Sequence, residues 1–355
     1  MVTRNQGSTG AGISIQSGSP LIRGNTITAN TGEGIYVLGS DSAIGPQIIG
    51  NVISNNTSGY TAAGIDLFAS GSVLIENNLI TGNTGSEGGA IGMVNGSNPL
   101  ITQNVIVGNT GGTGGEFYSL VPAGATAVLT NNTIAGNFSN KGSAVYVDGN
   151  TAGVQLVNKA VYCGNFNNTT TPLLSNNDVL GASGRNYEGL CADQTGQNGN
   201  ISADPVFMCT GAGNYRIGPG SPAINAGNST AAGLPTQDFD SNPRTVGGVT
   251  GGAKIDLGAF EFEGPAVLNL STPSLSFGNQ TVGTTSPVQS VTLTNGGTQT
   301  AWFCSIDGGA QFPQANNCSD HVAAGGTCAV NVSFRPTAQG ALNSALLSEP
   351  IPRRH

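Results

Sequence analysis

Apolar residues in the first half of the chain come in short alternating bursts that return at a long, nearly constant interval. The clearest marker is Asn-x-Ile: Asn25-Thr26-Ile27, Asn51-Val52-Ile53, Asn78-Leu79-Ile80, Asn104-Val105-Ile106 and Asn132-Thr133-Ile134. Successive markers lie 26, 27, 26 and 28 residues apart. Three positions before each Asn stand Ile22, Ile48, Ile75, Ile101 and Leu129, and five after it stand Asn30, Asn56, Asn83, Asn109 and Asn137. A further apolar column runs Ile13, Ile35, Ile65, Ile91, Phe117 and Val145, repeated two residues on as Ile15, Val37, Leu67, Met93, Ser119 and Val147. Alternation at period two predicts strands, not helices.

A unit this small cannot bury an apolar face alone, but stacked units can. The pattern therefore predicts a parallel β-helix over residues 10–165, one coil per unit, with coils about 4.8 Å apart. Equivalent isoleucines then lie in file inside. The Asn columns (Asn25, Asn51, Asn78, Asn104 and Asn132 first among them) fall at corners. Asn tolerates the left-handed backbone conformation there, and its amide can bond the coil above to form a ladder.

The period fails after the fifth unit. Val154–Val161 has one residue too many before Tyr162-Cys163-Gly164-Asn165, which reads as a bulge. Residues 166–253 keep the Asn/Gly flavour without the spacing, and Lys254–Phe262 reads as a closing strand. Beyond Pro265 the pattern changes. Val267–Leu270, Ser274–Phe277, Val288–Thr294, Trp302–Ile306, Cys328–Phe334 and Leu342–Leu347 read as short strands of an antiparallel sandwich. The expected fold class is all-β, with a β-helix and its end coils over 1–265 and a small sandwich over 266–355.

Composition narrows the function. Of 355 residues, 56 are Gly and only 8% are charged, for a net charge of −8. No basic patch for nucleic acid is visible. The glycines are not in collagen triplets, and no apolar run is long enough to span a membrane as a helix.

The repeats at 10–165 resemble the right-handed β-helix repeats of pectin-lyase-like and bacterial surface proteins. Asp204-Pro205-Val206-Phe207, Asn214-Tyr215-Arg216-Ile217, Ser221–Gly227, Asp238-Phe239-Asp240 with Asn242-Pro243-Arg244, and Ile255–Glu261 resemble the tail of bacterial choice-of-anchor Q proteins. That family usually has Asp where this chain has Asn225, and often Gly where it has Ser241. Leu275-Ser276-Phe277-Gly278, Thr281-Val282-Gly283 and Val330–Thr337 resemble choice-of-anchor D immunoglobulin-like modules, in which one more strand usually follows. These resemblances imply an extracellular or cell-surface protein. Met1–Gly10 has no signal-peptide character, no cap is visible before Ile13, and Glu349–His355 ends the sandwich early, so the chain reads as a fragment.

The six cysteines form no C-x-x-C pair, and His321 and His355 are remote from the first three, which argues against zinc. The immunoglobulin-like resemblance implies a Cys318–Cys328 disulfide. Cys191–Cys209 is a second candidate bridge, free buried thiols are the alternative, and Cys163 and Cys304 stay unassigned. Bridges would imply an oxidising compartment.

Candidate chemistry is sparse. The Asn-Thr-Asp, Asp-Asp, Gly-His-Gly and Arg-Ile-Lys motifs of polygalacturonase-like hydrolases are absent from the sequence, as is the Arg-containing pectate lyase signature. One row stands out, because the residue after each Ile13-column position should face outward: Ser14, Tyr36, Asp66, Gly92, Tyr118 and Tyr146. Such a row could stack on sugar rings, or simply cover a sheet with residues of high β-propensity. Asp66 and Glu116 would lie roughly 10 Å apart from coil spacing, near the upper limit for an inverting pair of acids. Asp238-x-Asp240-x-Asn242 has the first three ligands of a Ca²⁺ loop, but Pro243 replaces the required Gly and Val249 the bidentate Glu. An Arg244 ion pair with Asp238, Asp240 or Glu261 is the stronger reading, and no cofactor is expected. Two functions follow: a non-catalytic surface protein that binds glycan or another surface, or a polysaccharide lyase or glycoside hydrolase suggested by fold analogy. A plain structural spacer is a third.

Overall fold

In the computed structural model each sequence column becomes its own parallel sheet. The structure describes residues 1–39, 45–95, 97–112, 117–120, 127–139, 145–147, 161–163, 173–180, 187–189, 195–231, 233–244, 254–264 and 266–348. Contacts divide it into two units, Met1–Pro205 with Pro222–Glu261, and Val206–Ser221 with Phe262–His355. The second unit begins at Phe262, four residues before the expected start at 266, and it also takes in Val206–Ser221, which a hairpin and a disulfide bind to it. No helix among the described residues is long and apolar enough to cross a membrane.

Four sheets make the coils. The first holds Val2–Thr3, Thr26–Thr28, Val52–Ser54, Leu79–Thr81, Val105–Val107, Thr133–Ala135 and Asp178–Leu180. The second runs from Leu21–Arg23 through Gln47–Ile49, Leu74–Glu76, Leu100–Thr102 and Val128–Thr130 to Leu173–Ser175. A narrow third sheet contains Thr57–Ser58, Thr84–Gly85, Thr110–Gly111 and Phe138–Ser139. The fourth, an eight-stranded long face, runs from Ile13–Ile15 to Tyr187–Gly189. Register is strict: Ile27, Ile53, Ile80, Ile106 and Ile134 pair in single file. All five are at most 1% exposed. Inward β-branched residues suit a pleated interior, and each buried isoleucine contributes about 1.5–3 kcal/mol of transfer free energy.

Two asparagine ladders lock the coils together. Asn51 donates from its main-chain N to Asn78 Oδ1 (2.8 Å) and from Nδ2 to the same atom (3.0 Å). Asn78 does the same to Asn104, and Asn104 to Asn132. Each Nδ2 also reaches the carbonyl of the preceding coil, as from Asn78 to Ile48 O at 2.8 Å. The second ladder runs through Asn30, Asn56, Asn83, Asn109 and Asn137. The ladder residues are not themselves left-handed, contrary to expectation. That conformation falls on the residue just before: Gly24, Gly50, Asn77, Gln103 and Asn131 at one corner, and Ala29, Asn55, Gly82, Gly108 and Gly136 at the other. The turn is made one step early, leaving the next side chain free to point inward.

The stack is longer at both ends than the spacing suggests. Val2–Thr3 pairs with Ile27–Thr28, and Asn5 bonds Asn30 Oδ1 at 3.0 Å, so the first ten residues belong to it. Past the fifth unit, Leu174 and Val179 align with Leu129 and Ile134. The ladder continues from Asn132 to Asn177 and on to Asn200. At the break in period, Val161–Cys163 adds a strand to the long face that has no counterpart in the other sheets among the described residues. The bulge expected at Val154–Ala160 lies outside the described residues.

The second unit is antiparallel. Leu268–Leu270, Gln289–Asn295, Thr327–Val332 and Gln314–Asn316 form one sheet, accompanied by the pairs Ala301–Trp302 with His321–Val322 and Ser305–Ile306 with Leu347–Ser348. Val291, Leu293, Phe303, Val322, Val330 and Val332 form its core. The expected strand Ser274–Phe277 is not a strand, and of Leu342–Leu347 only Leu347 is in one. Both segments instead line a cavity of about 1100 Å³, where Leu275, Phe277, Leu342 and Leu346 face Phe312 and Phe334. Cys318 and Cys328 are joined. Cys209 bonds Cys304, so the candidate Cys191–Cys209 bridge is not formed: the hairpin of Phe207–Cys209 with Asn214–Ile217 carries Cys209 into the second unit. Cys191 lies outside the described residues.

Asn78 makes the ladder testable. Asn78→Ala removes the acceptor for Asn51 N and the donor for Ile48 O, both buried, at about 1–3 kcal/mol per orphaned group. The expected loss is about 2–6 kcal/mol in urea unfolding, clearly more than for the half-exposed Asn25→Ala. Equal losses would mean that the ladder does not hold the stack.

Candidate functional site

The outer side of the long face was the sequence's best candidate surface, and its register is as expected. Ser14 pairs with Tyr36, Tyr36 with Asp66, Asp66 with Gly92, Gly92 with Tyr118, and Tyr118 with Tyr146. The row continues to Tyr162 and Glu188, which a constant period could not have placed. A second outward row runs beside it, from Leu38 to Phe68 and Val94. Phe68 is 37% exposed, while Tyr36 and Leu38 are half-buried.

The middle of the face is not open, which corrects the expected exposed strip. Asp66 is 4% exposed and Tyr118 is buried. The turns leading into the strands fold back over them. A Cβ at Gly92 would sit 2.8 Å from Ala62 Cβ and 2.9 Å from Thr61 Cγ2, and one at Gly88 3.2 Å from Tyr118 Cβ. Only glycine lets Thr61-Ala62 lie this close to the sheet. Glu116 is outside the described residues, and Tyr146 is described as a strand position only.

Asp66 has a different acidic environment from the one the spacing suggested. Burial first, then Glu33 and Glu87, push its carboxyl up to about 8. Its Oδ1 has no hydrogen-bond partner among the described residues and lies 3.3 Å from the Cβ position at Gly92. Glu33 is fully buried and satisfied: Gly10 N donates to its Oε2 at 2.6 Å and Ser58 Oγ to its Oε1 at 2.8 Å. Burial also raises the Tyr36 hydroxyl, with Asp66 and Glu33 adding to it. Glu33 carried no motif, and its one sequence cue was a charge two residues before a buried strand.

A second polar cluster lies where residues 222–231, 233–244 and 254–261 run along the outside of the coils as a strap. The strap meets the left-handed corner column. Asn131 Oδ1 accepts from Asn228 N (2.7 Å), Asn176 Nδ2 donates to Ala226 O (3.4 Å), and Asn77 Nδ2 to Gln237 O (3.4 Å). Arg244, 2% exposed, donates to Glu261 Oε1 at 2.9 Å and to Asn77 Oδ1 at 2.7 Å. Glu261 is thus its partner among the three candidates. Asp238 is no open calcium ligand: its oxygens accept from Asp240 N, Asn242 N, Asn242 Nδ2 and Glu261 N. Ser241, at φ 71°, occupies the conformation that favours Gly. Gly258 is required where the strap crosses the sheet, since a Cβ would lie 2.8 Å from Thr133 Oγ1. Between these anchors both amide atoms of Gln103, fully buried, lack partners among the described residues.

Residues 2–161 match the family model described as right handed beta helix region. This segment is a right-handed parallel β-helix. No curated protein and no solved structure matches the chain. Among the described residues of the β-helix and beyond, no group of three acids, His or Cys could hold a metal ion.

Two outcomes are expected. Asp66, Glu76 (about 7) and Asp178 (about 7) all have raised carboxyls, with burial the main cause in each. Below the ordinary carboxyl range they are neutral whether the chain is folded or not, and above it ionisation first favours the unfolded chain. Stability is therefore full on the acid side and falls as pH rises through 7 to 8; Asp66→Asn should flatten that fall in urea midpoints measured from pH 5 to 9. Gln103→Met, which keeps the shape and removes two orphaned polar atoms, should stabilise by about 1–3 kcal/mol; a loss of stability would show that the amide is satisfied by water.

Proposed function

We propose that this chain is a non-catalytic secreted or cell-surface β-helix protein that contacts glycan or another surface along the outer side of its long face. The observation that carries the reading is the pairing of two outward rows there. Tyr36 and Leu38 stand beside Phe68, offering rings and apolar surface over adjacent coils. Sugar faces pack on such rings while hydroxyls find polar edges. Exposed Ser14, paired with Tyr36 on the adjacent coil, supplies one such edge. The immunoglobulin-like reading of the second unit, which rests on Leu275–Gly278 and Val330–Thr337, and the resemblance to anchored surface proteins support an extracellular setting, as do the two disulfides.

The hydrolase or lyase alternative has one observation in its favour. Asp66 stays protonated near neutral pH, as a general acid must. Its burial under Thr61-Ala62 argues against contact with a substrate, and Glu33, which acts on it more strongly than Glu87, is buried with both carboxylate oxygens bonded. A glycan array followed by titration separates the readings. Tyr36→Ser and Phe68→Ser are each expected to weaken binding about two- to tenfold, the value of one ring contact at ~0.5–1.5 kcal/mol. Asp66→Asn should leave binding intact, with no reducing ends or unsaturated products released by either protein. Unchanged affinity in both ring variants, or turnover abolished by Asp66→Asn, would overturn the proposal.

A further inference from the structure

One outward column of the second sheet changes character along the stack. Arg23, Ile49, Glu76, Thr102 and Thr130 pair in register, each one residue after an inward Ile or Leu. Arg23 is exposed and Ile49 half-buried, but Glu76, Thr102 and Thr130 are buried. Strap residues lie over this stretch. A Cβ at Gly233 would sit 3.0 Å from Leu100 Cδ2 and 3.8 Å from Leu74 Cδ1, and Arg244 bonds Asn77, the residue after Glu76. Glu76 is thus an outward-facing carboxyl covered by the strap. Charge there is unbalanced. Glu76 from the coil and Asp238, Asp256 and Glu261 from the strap are each at most 9% exposed, and all four interact with the one guanidinium of Arg244.

We propose that Glu76 is a proton-operated latch for the strap: neutral, it lets the strap lie closed over the second sheet, and ionised, it drives the strap open. A buried carboxylate without its own cation is relieved only by water, and lifting the strap admits water. Arg244 cannot serve instead, because its Nη1 is held by Glu261 and its Nη2 by Asn77. Asp238 and Asp256 are engaged elsewhere: Asp238 accepts from Asp240 N, Asn242 N and Glu261 N, and Asp256 Oδ1 accepts from Asn225 N at 2.6 Å. Burial holds the Glu76 carboxyl up to about 7 against the pull of Arg244 and of Arg23 on its own column. Burial and Asp256 hold Glu261 up to about 8, and Asp240 adds to the burial that raises Asp238. The closed strap therefore keeps protons that an open one releases. It is held fully on the acid side and loosens as pH rises through 7 to 8. Latch and strap both belong to the β-helix unit, and the mechanism does not depend on any ligand of the long face.

Trypsin reads the latch, because its target Arg244 is only 2% exposed while the strap is closed. Cleavage after Arg244 in the full chain is followed from about pH 6 to about pH 9. It is divided by cleavage of a short peptide with the same bond, which removes the protease's own pH profile. The ratio should rise at least about tenfold, the effect of one carboxyl at about 7 returning to its ordinary value on opening. Glu76→Gln, which is always neutral, should take about tenfold out of that rise. Asp66→Asn, on the long face, should leave the rise unchanged. Amide exchange along the ladder from Asn51 to Asn132, corrected for its intrinsic pH dependence, should stay constant where cleavage grows. The proposal is overturned by the absence of a rise, by a rise that Glu76→Gln leaves whole, or by one that Asp66→Asn or ladder exchange follows in step. Should Glu76→Gln fail to fold, Glu76→Met, also neutral, gives the same comparison.

Discussion

Everything in the β-helix depends on one requirement: a main chain that turns three or four corners per coil must satisfy its amides at each of them. Strand amides find partners in the coils above and below, but corner amides do not lie in a sheet. The inward asparagines solve this by accepting two bonds on Oδ1 and donating to a carbonyl one coil away. Because every such residue bonds its own copy, the solution propagates only if coils keep identical register. That same register puts isoleucine on isoleucine, so polar and apolar order enforce each other.

The outer surface follows from this inner order but is not determined by it. Which side chains face out is a matter of strand alternation; whether they meet solvent depends on the turns between strands. Thr61-Ala62 and the Gly88 turn cover Asp66 and Tyr118, while Tyr36 and Phe68 remain accessible. An acid can thus be correctly placed on the outer row and still be a buried, protonated group. The strap modifies the surface again where Gly258 lies against Val105 and Thr133, both of which are buried.

Much of this was legible in the residues themselves. The Ile and Asn columns predicted coils, faces and register because each position recurs with its chemistry intact. The left-handed step was misplaced by one residue, since Gly24, Gly50, Asn77 and Gln103 share no side-chain type and so form no visible column. The stack beyond residue 165 was hidden because the next Asn-ladder residue, Asn177, comes 45 positions after Asn132, well off the earlier spacing. Cys209–Cys304 could not be read from spacing, as it joins a hairpin to a unit that begins some fifty residues later. Glu33 and its burial beside Ser58 and Gly10 left no pattern at all.

The corner that meets the strap changes character along the stack, from Gly24 and Gly50 to Asn77, Gln103, Asn131 and Asn176. Asn77, Asn131 and Asn176 each bond the strap that lies across them. The strap therefore works as a ruler cut to a set number of coils. Between Asn77 and Asn176, gaining or losing a repeat would throw its contacts out of step by one coil, about 4.8 Å. Among the described residues no strap bond falls at Gly24 or Gly50, so the gauge begins at Asn77 and ends at Asn176.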